Sequence, residues 1–147
     1  MVVEGLKAKK KVRILWISRH KPLPAQLDYL KKKLDDFEIV IHDKPLATAQ
    51  DAIKLAEKHG ADFIVPVLPL SFIMHLVAEA KKKGFVVLRA DMENLHNCES
   101  QPCPDYNEYT DSILLSRDIN TGDIICRHYR FVGFKVLRDI KLIEDPF

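Results

Sequence analysis

Val12 to Ile17, VRILWI, restricts the fold more than any other stretch of this chain. Only Arg13 interrupts its large apolar residues, and the run stops abruptly at Ser18-Arg19-His20-Lys21. A short apolar run bounded in this way fits a buried strand of a parallel sheet. Pro22 and Pro24 follow at once. Proline suits the first turn of a helix, where its missing N–H is not needed. Leu23, Leu27, Leu30 and Leu34 then recur at helical spacing, with Lys31-Lys32-Lys33 on the other faces as a solvated surface.

The same alternation repeats. Phe37 to Ile41 reads as a second strand, stopped by His42-Asp43-Lys44-Pro45. Thr48 is an N-cap for a helix over Ala49 to His59, whose stripe is Ala49, Ala52, Ile53 and Ala56, with Gly60 as terminator. Phe63 to Leu68 is a third strand that ends or bulges at Pro66, because proline cannot donate to a ladder. Pro69 and Ser71 open a third helix over Phe72 to Lys83, closed by Gly84. Its start is apolar nearly all round, which calls for packing on two sides, against the sheet and against the C-terminal segment or a partner subunit. Phe85 to Leu88 is a fourth strand ending in Arg89-Ala90-Asp91. Three strand–helix units and a strand, joined by right-handed crossovers, predict a parallel α/β sheet of order 2-1-3-4.

The remainder reads differently. Leu95 to Thr110 has the composition of a loop, long enough to be a lid or an arm. Ser112 to Ser116 and the run from Ile124 to Leu137 flank the turn Asn120-Thr121-Gly122-Asp123 and predict a β-hairpin. The expected organisation is therefore one domain over 1–147, with a basic tail at 1–11, an acidic loop at 95–111 and a hairpin extension at 112–147.

Charge is uneven. Six acids and no Lys or Arg lie between Asp91 and Ser116, whereas Arg127, Arg130, Lys135 and Arg138 follow with no acid among them. A net charge of +2 argues against a sequence-specific duplex-DNA binder. No apolar run is long enough to span a membrane, and the start has no signal-peptide core. Three cysteines without a secretion signal point to the cytoplasm. The Lys runs and the scarcity of Gln resemble a thermophile's composition, which keeps a Cys98–Cys103 disulfide open.

Two sets of residues suggest chemistry. At the carboxyl end of the first strand, where ligands bind in open α/β sheets, Ser18, Arg19, His20 and Lys21 combine a hydroxyl, two cations and an imidazole. Such a set suits a phosphate, with His20 able to act as acid or base. Ser71 adds a helix start, Arg89 a cation at the end of strand four, and Arg127, His128 and Arg130 a basic strand around Tyr129 on which a base can stack. The second set is His96, Cys98 and Cys103, with Cys126 and His128 later in the chain. These residue types ligate zinc, although H-x-C-x4-C lacks a tight CxxC knuckle; a disulfide and unlinked cysteines are the other readings. There is no GxGxxG and no P-loop, so no dinucleotide cofactor is expected.

The segments Ser18-Arg19-His20-Lys21-Pro22-Leu23-Pro24-Ala25-Gln26, Ala61 to Gly84 and Arg127-His128-Tyr129-Arg130-Phe131-Val132 together resemble a group of small Rossmann-like proteins of phage genomes and CRISPR loci, related to CRISPR-associated ring nucleases. The resemblance implies a three-layer Rossmann-like domain that forms a homodimer. It implies a nucleotide or cyclic oligoadenylate ligand and metal-independent cleavage by the ribose 2′-hydroxyl, without a cofactor. His20 would then be catalytic, with Arg19, Lys21 and Gln26 on the ligand. Two further readings stand beside it: a non-catalytic nucleotide sensor, and a protein-interaction module of an antiviral-defence system.

Overall fold

The computed structural model describes residues 11–98 and 103–147. Residues 1–10 of the expected basic tail and 99–102 of the expected acidic loop lie outside that description. In chain order the elements are β1 (Val12–Ile17), α1 (Pro24–Leu34), β2 (Phe37–His42), α2 (Ala49–His59), β3 (Phe63–Pro66), α3 (Leu70–Lys83), β4 (Val86–Cys98), β5 (Asp111–Arg117) and β6 (Ile124–Leu137). The fold is mixed α/β, and hydrogen-bonded strands follow the order β2-β1-β3-β4-β6-β5. Two compact units divide the chain. One takes it up to Lys21, then Leu34–Arg89 and Val136–Phe147; the other takes Pro22–Lys33 and Ala90–Lys135.

In the first unit β1 pairs in parallel with β2, from Val12 opposite Phe37 to Ile17 opposite His42. On its other edge β1 pairs in parallel with β3, and β3 with β4. Ile14 through Ile17 are all buried, as a central parallel strand requires. Leu15, Ile17, Ile64 and Val87 pack with Ala52, Ala56, Leu76, Val77 and Ala80 of α2 and α3 in one apolar core. Alanine on both helices lets them approach the strands closely. Each large side chain buried here contributes about 1.5–3 kcal/mol. Thr48 and Asp51 form a reciprocal capping box at the start of α2, and Gly60 ends it in the left-handed region at φ 63°. Pro66 ends β3, as its missing donor demands.

The second unit has a different filling. Tyr29 of α1 meets Phe131 and Phe134 of β6 edge-on, with ring centroids 5.8 and 5.6 Å apart. Gly133 sits at φ 151°, and a Cβ there would come within 3.4 Å of the Tyr29 ring. Tyr109 ties into α1 twice: its carbonyl accepts from the Ala25 N–H, and its hydroxyl donates to Asp28. β5 and β6 pair antiparallel, from Asp111 opposite Arg130 to Arg117 opposite Ile124.

Two expectations change. β4 does not stop at Leu88 but continues to Cys98, so Leu95 to Cys98 is strand rather than loop. The polar residues from Arg89 onward read as a strand end because the strand that continues the pairing, β6, lies far along the chain. The tail from Asp139 to Phe147, where the KLIE run suits a short final strand, carries no strand, and Leu142 and Ile143 are exposed. No helix of the described residues is long and apolar enough to cross a membrane.

Candidate metal centre

Strand alternation builds the centre. On β6, Cys126, His128 and Arg130 share one face because successive side chains point to opposite sides. At the far end of β4, His96 and Cys98 likewise share a face. Cys103 joins them, and one ligand atom each from His96, Cys98, Cys103 and His128 falls within 4.8 Å of the others. His96 is exposed and Cys98 half-buried, whereas Cys103 and His128 are buried. All three cysteines are free thiols, so the Cys98–Cys103 disulfide does not form.

The closest approaches are between nitrogens and sulfur. His128 Nδ1 lies 3.2 Å from His96 Nε2 and 3.5 Å from Cys103 Sγ, and Cys103 Sγ lies 3.8 Å from His96 Nε2. A tetrahedral ion with the usual zinc–nitrogen and zinc–sulfur bonds sets N···N at about 3.3 Å and N···S at about 3.6 Å. The His96, His128 and Cys103 donor atoms already stand near those edges.

The tautomers follow from the outer partners. His128 Nε2 is 2.6 Å from Asp111 Oδ2, so it carries the proton and leaves Nδ1 bare. His96 Nδ1 is 3.1 Å from the Asn97 carbonyl, which can only accept, so Nε2 is the bare nitrogen. With those tautomers two imidazole lone pairs face each other at 3.2 Å, an arrangement that a cation or a proton between them satisfies. Asp105 Oδ2, 3.7 Å from His96 Nε2, adds negative potential at the exposed corner.

Asp111 anchors the outer layer. It is fully buried and accepts from Arg130 Nε and Nη2, Thr110 Oγ1, the Asn107 N–H and His128 Nε2. The Arg130 guanidinium, aided by the Thr110, Asn107 and His128 hydrogen bonds, holds its carboxyl well below the usual carboxylate range, against the opposing effect of burial. The Cys98 thiol is pushed up to about 12, first by desolvation and then by hydrogen bonds to the Cys126 and Cys103 thiols. A thiolate is thus disfavoured at Cys98, and a bound divalent cation reverses that preference.

The residues expected to bind a ligand divide between the two units. Ser18, Arg19, His20, Lys21, Ser71 and Arg89 belong to the first. Ser18 is buried and its Oγ accepts from the His20 N–H, while the Trp16 indole donates to the His20 carbonyl. Arg19, His20 and Lys21 are exposed beyond this turn. Ser71 lines a groove of about 410 Å³ with Thr48, Gln50, Phe72, His75 and Glu79, apart from the β1 residues. Gln26, Arg127, His128 and Arg130 belong to the second unit. Gln26 is buried, accepting from the Leu23 N–H and approaching Met92 Sδ; Arg127 is half-buried opposite Leu114; His128 and Arg130 are engaged as described. By composition alone Asp111 is one acid of a loop. A hairpin closing at Asn120-Thr121 pairs residues equidistant from that turn, and Asp111 and Arg130 are such a pair.

No family model and no curated protein matches the chain. Two variant crystal structures of HypX from Aquifex aeolicus overlap 58% and 84% of it, at 15% and 12% identity and a TM-score of 0.36 each. The chain spans 14% and 22% of those HypX chains, and so slight a likeness carries no argument.

Proposed function

We propose that this protein binds one zinc ion through His96 Nε2, Cys98 Sγ, Cys103 Sγ and His128 Nδ1. The observation that carries the reading is the convergence of four donor atoms, with two imidazole nitrogens facing each other at 3.2 Å beside a thiol. Sulfur and imidazole donors in this number favour zinc over hard cations. Four protein ligands leave no open position for a substrate, which marks a structural centre rather than a hydrolytic one. Its work is to fasten the end of β4, the Cys103 segment and β6 to one another. Elemental analysis of protein purified without chelator will find close to one zinc per chain, and Cys103→Ser will lose it. A zinc-free sample with undiminished stability would remove the reading.

A second reading concerns the end of β1. Arg19, His20 and Lys21 stand exposed where a Rossmann-like sheet places its ligands. This favours a phosphate-bearing ligand there, of which a nucleotide or cyclic oligoadenylate bound by a cytosolic homodimer is the specific form. Cleavage by His20 would make the protein a metal-independent ring nuclease; binding alone would make it a sensor. Chromatography of cyclic oligoadenylate incubated with zinc-loaded protein, in wild type and His20→Ala, separates these. An intact ring and an unchanged melting temperature reject both.

A further inference from the structure

The zinc reading uses two thiols, yet three are gathered. Cys126 is the extra one. It is 6% exposed and shares the face of β6 that carries His128, while Cys98 shares the face of β4 that carries His96, and the His96 and His128 rings meet across the two strands with centroids 5.0 Å apart. Cys103 differs, because its sulfur is held against both ligand imidazoles. β4 and β6 are neighbours in the sheet. Facing residues on adjacent strands have Cα atoms about 4.5–5.5 Å apart, within the span a disulfide bridges. Cys98 is half-buried, so a small oxidant reaches it before it reaches Cys126.

Resting on the zinc reading, we infer that Cys98 and Cys126 form an oxidation-sensitive pair, with hydrogen peroxide as the oxidant and Cys126 as the resolving thiol, and that closing this pair releases the metal. In the first step the Cys98 sulfur attacks peroxide. The S–O bond forms as the O–O bond breaks, sulfur loses two electrons, and the departing oxygen leaves as water. In the second step the Cys126 sulfur attacks the Cys98 sulfenic acid. The S–S bond forms as the S–O bond breaks, and the oxygen departs as a second water with the Cys126 proton. Two thiols and one peroxide thus give one disulfide and two waters. The centre keeps only His96, Cys103 and His128, one donor short of a closed site. Dithiothreitol reopens the disulfide and restores the fourth ligand. Without Cys126 the sulfenic acid has no such partner and proceeds to sulfinic acid, which dithiothreitol does not reverse.

The test begins with the zinc content of untreated wild type and Cys126→Ser, followed by a peroxide titration with a chromogenic zinc indicator and peptide mapping of the thiols. Both proteins will start with close to one zinc. The wild type will release it in step with a Cys98–Cys126 disulfide and rebind it after dithiothreitol. Cys126→Ser will release zinc without recovering. Zinc present at the start but a Cys98–Cys103 disulfide, or full recovery in Cys126→Ser, overturns the pair while leaving the metal reading intact. No zinc in either untreated protein overturns the metal reading, and the release step falls with it.

Discussion

At the residue scale the arrangement turns on Asp111, which contacts no proposed ligand sulfur and yet fixes His128. Its carboxylate holds the Nε2 proton and so presents Nδ1 to the other donors. Asp111→Asn can keep the shape, but it weakens the charge-assisted bonds to Arg130 and His128. The expected result is a zinc affinity lower by about 10- to 100-fold, as outer partners of metal-bound histidines generally show. Competition with a chelator of known affinity measures it, and unchanged affinity would deny Asp111 this role. The pH dependence has a definite sign. A carboxyl lowered in the folded state contributes stability above its unfolded value, near 4, and that contribution goes only as pH falls through the still lower folded value. Between pH 7 and about 4 Asp111 therefore stays ionised, so its protonation contributes nothing to any change of zinc affinity over that window. Indicator titrations of wild type and Asp111→Asn at stepped pH will run parallel there, and curves that converge as pH falls would contradict it.

At the element scale the first unit is legible and the second is only partly so. β1, β2, α2 and the sheet order follow from apolar runs and stripes, and Thr48 and Gly60 bound α2 as their chemistry predicts. Thr48→Ala removes one side of the capping box and will lower stability by about 1 kcal/mol in urea unfolding. Arg89 and Asp91 look like a strand end, so β4 reads as shorter than it is, and its continuation depends on pairing with residues that enter the chain much later. The proposed ligands His96, Cys98, Cys103 and His128 were visible as residue types, alongside Cys126. Their convergence was not, because His128 reaches the others only through strand register. Asp111 was hidden for the same reason. Gly133 marks a second place where backbone decides: at φ 151°, an alanine is strained, and its Cβ would rest in contact with the Tyr29 ring. Gly133→Ala will lower the melting temperature, whereas Gly122→Ala, with open space around it, will lower it less.

At the scale of the whole molecule the two units draw on different sources of stability. The first has a continuous apolar core of Leu15, Ile17, Ile64, Leu76, Val77 and their neighbours. The second has an aromatic cluster around Tyr29 together with the polar, thiol-rich centre. Structural zinc contributes folding free energy directly, on the order of 10 kcal/mol in small zinc-bound peptides. Chelation will therefore loosen the second unit more than the first. Hydrogen exchange will report it as faster exchange across β5 and β6, with little change at Ile14 to Ile17 and in α2. Equal loss of protection in both units would contradict that division.

The central claim is a four-ligand zinc centre, and zinc K-edge X-ray absorption on the purified protein tests it most directly. A four-ligand centre gives two sulfur scatterers at about 2.3 Å and two imidazole nitrogens at about 2.0–2.1 Å. A shell of oxygen and nitrogen alone, or no zinc edge above background, would contradict it.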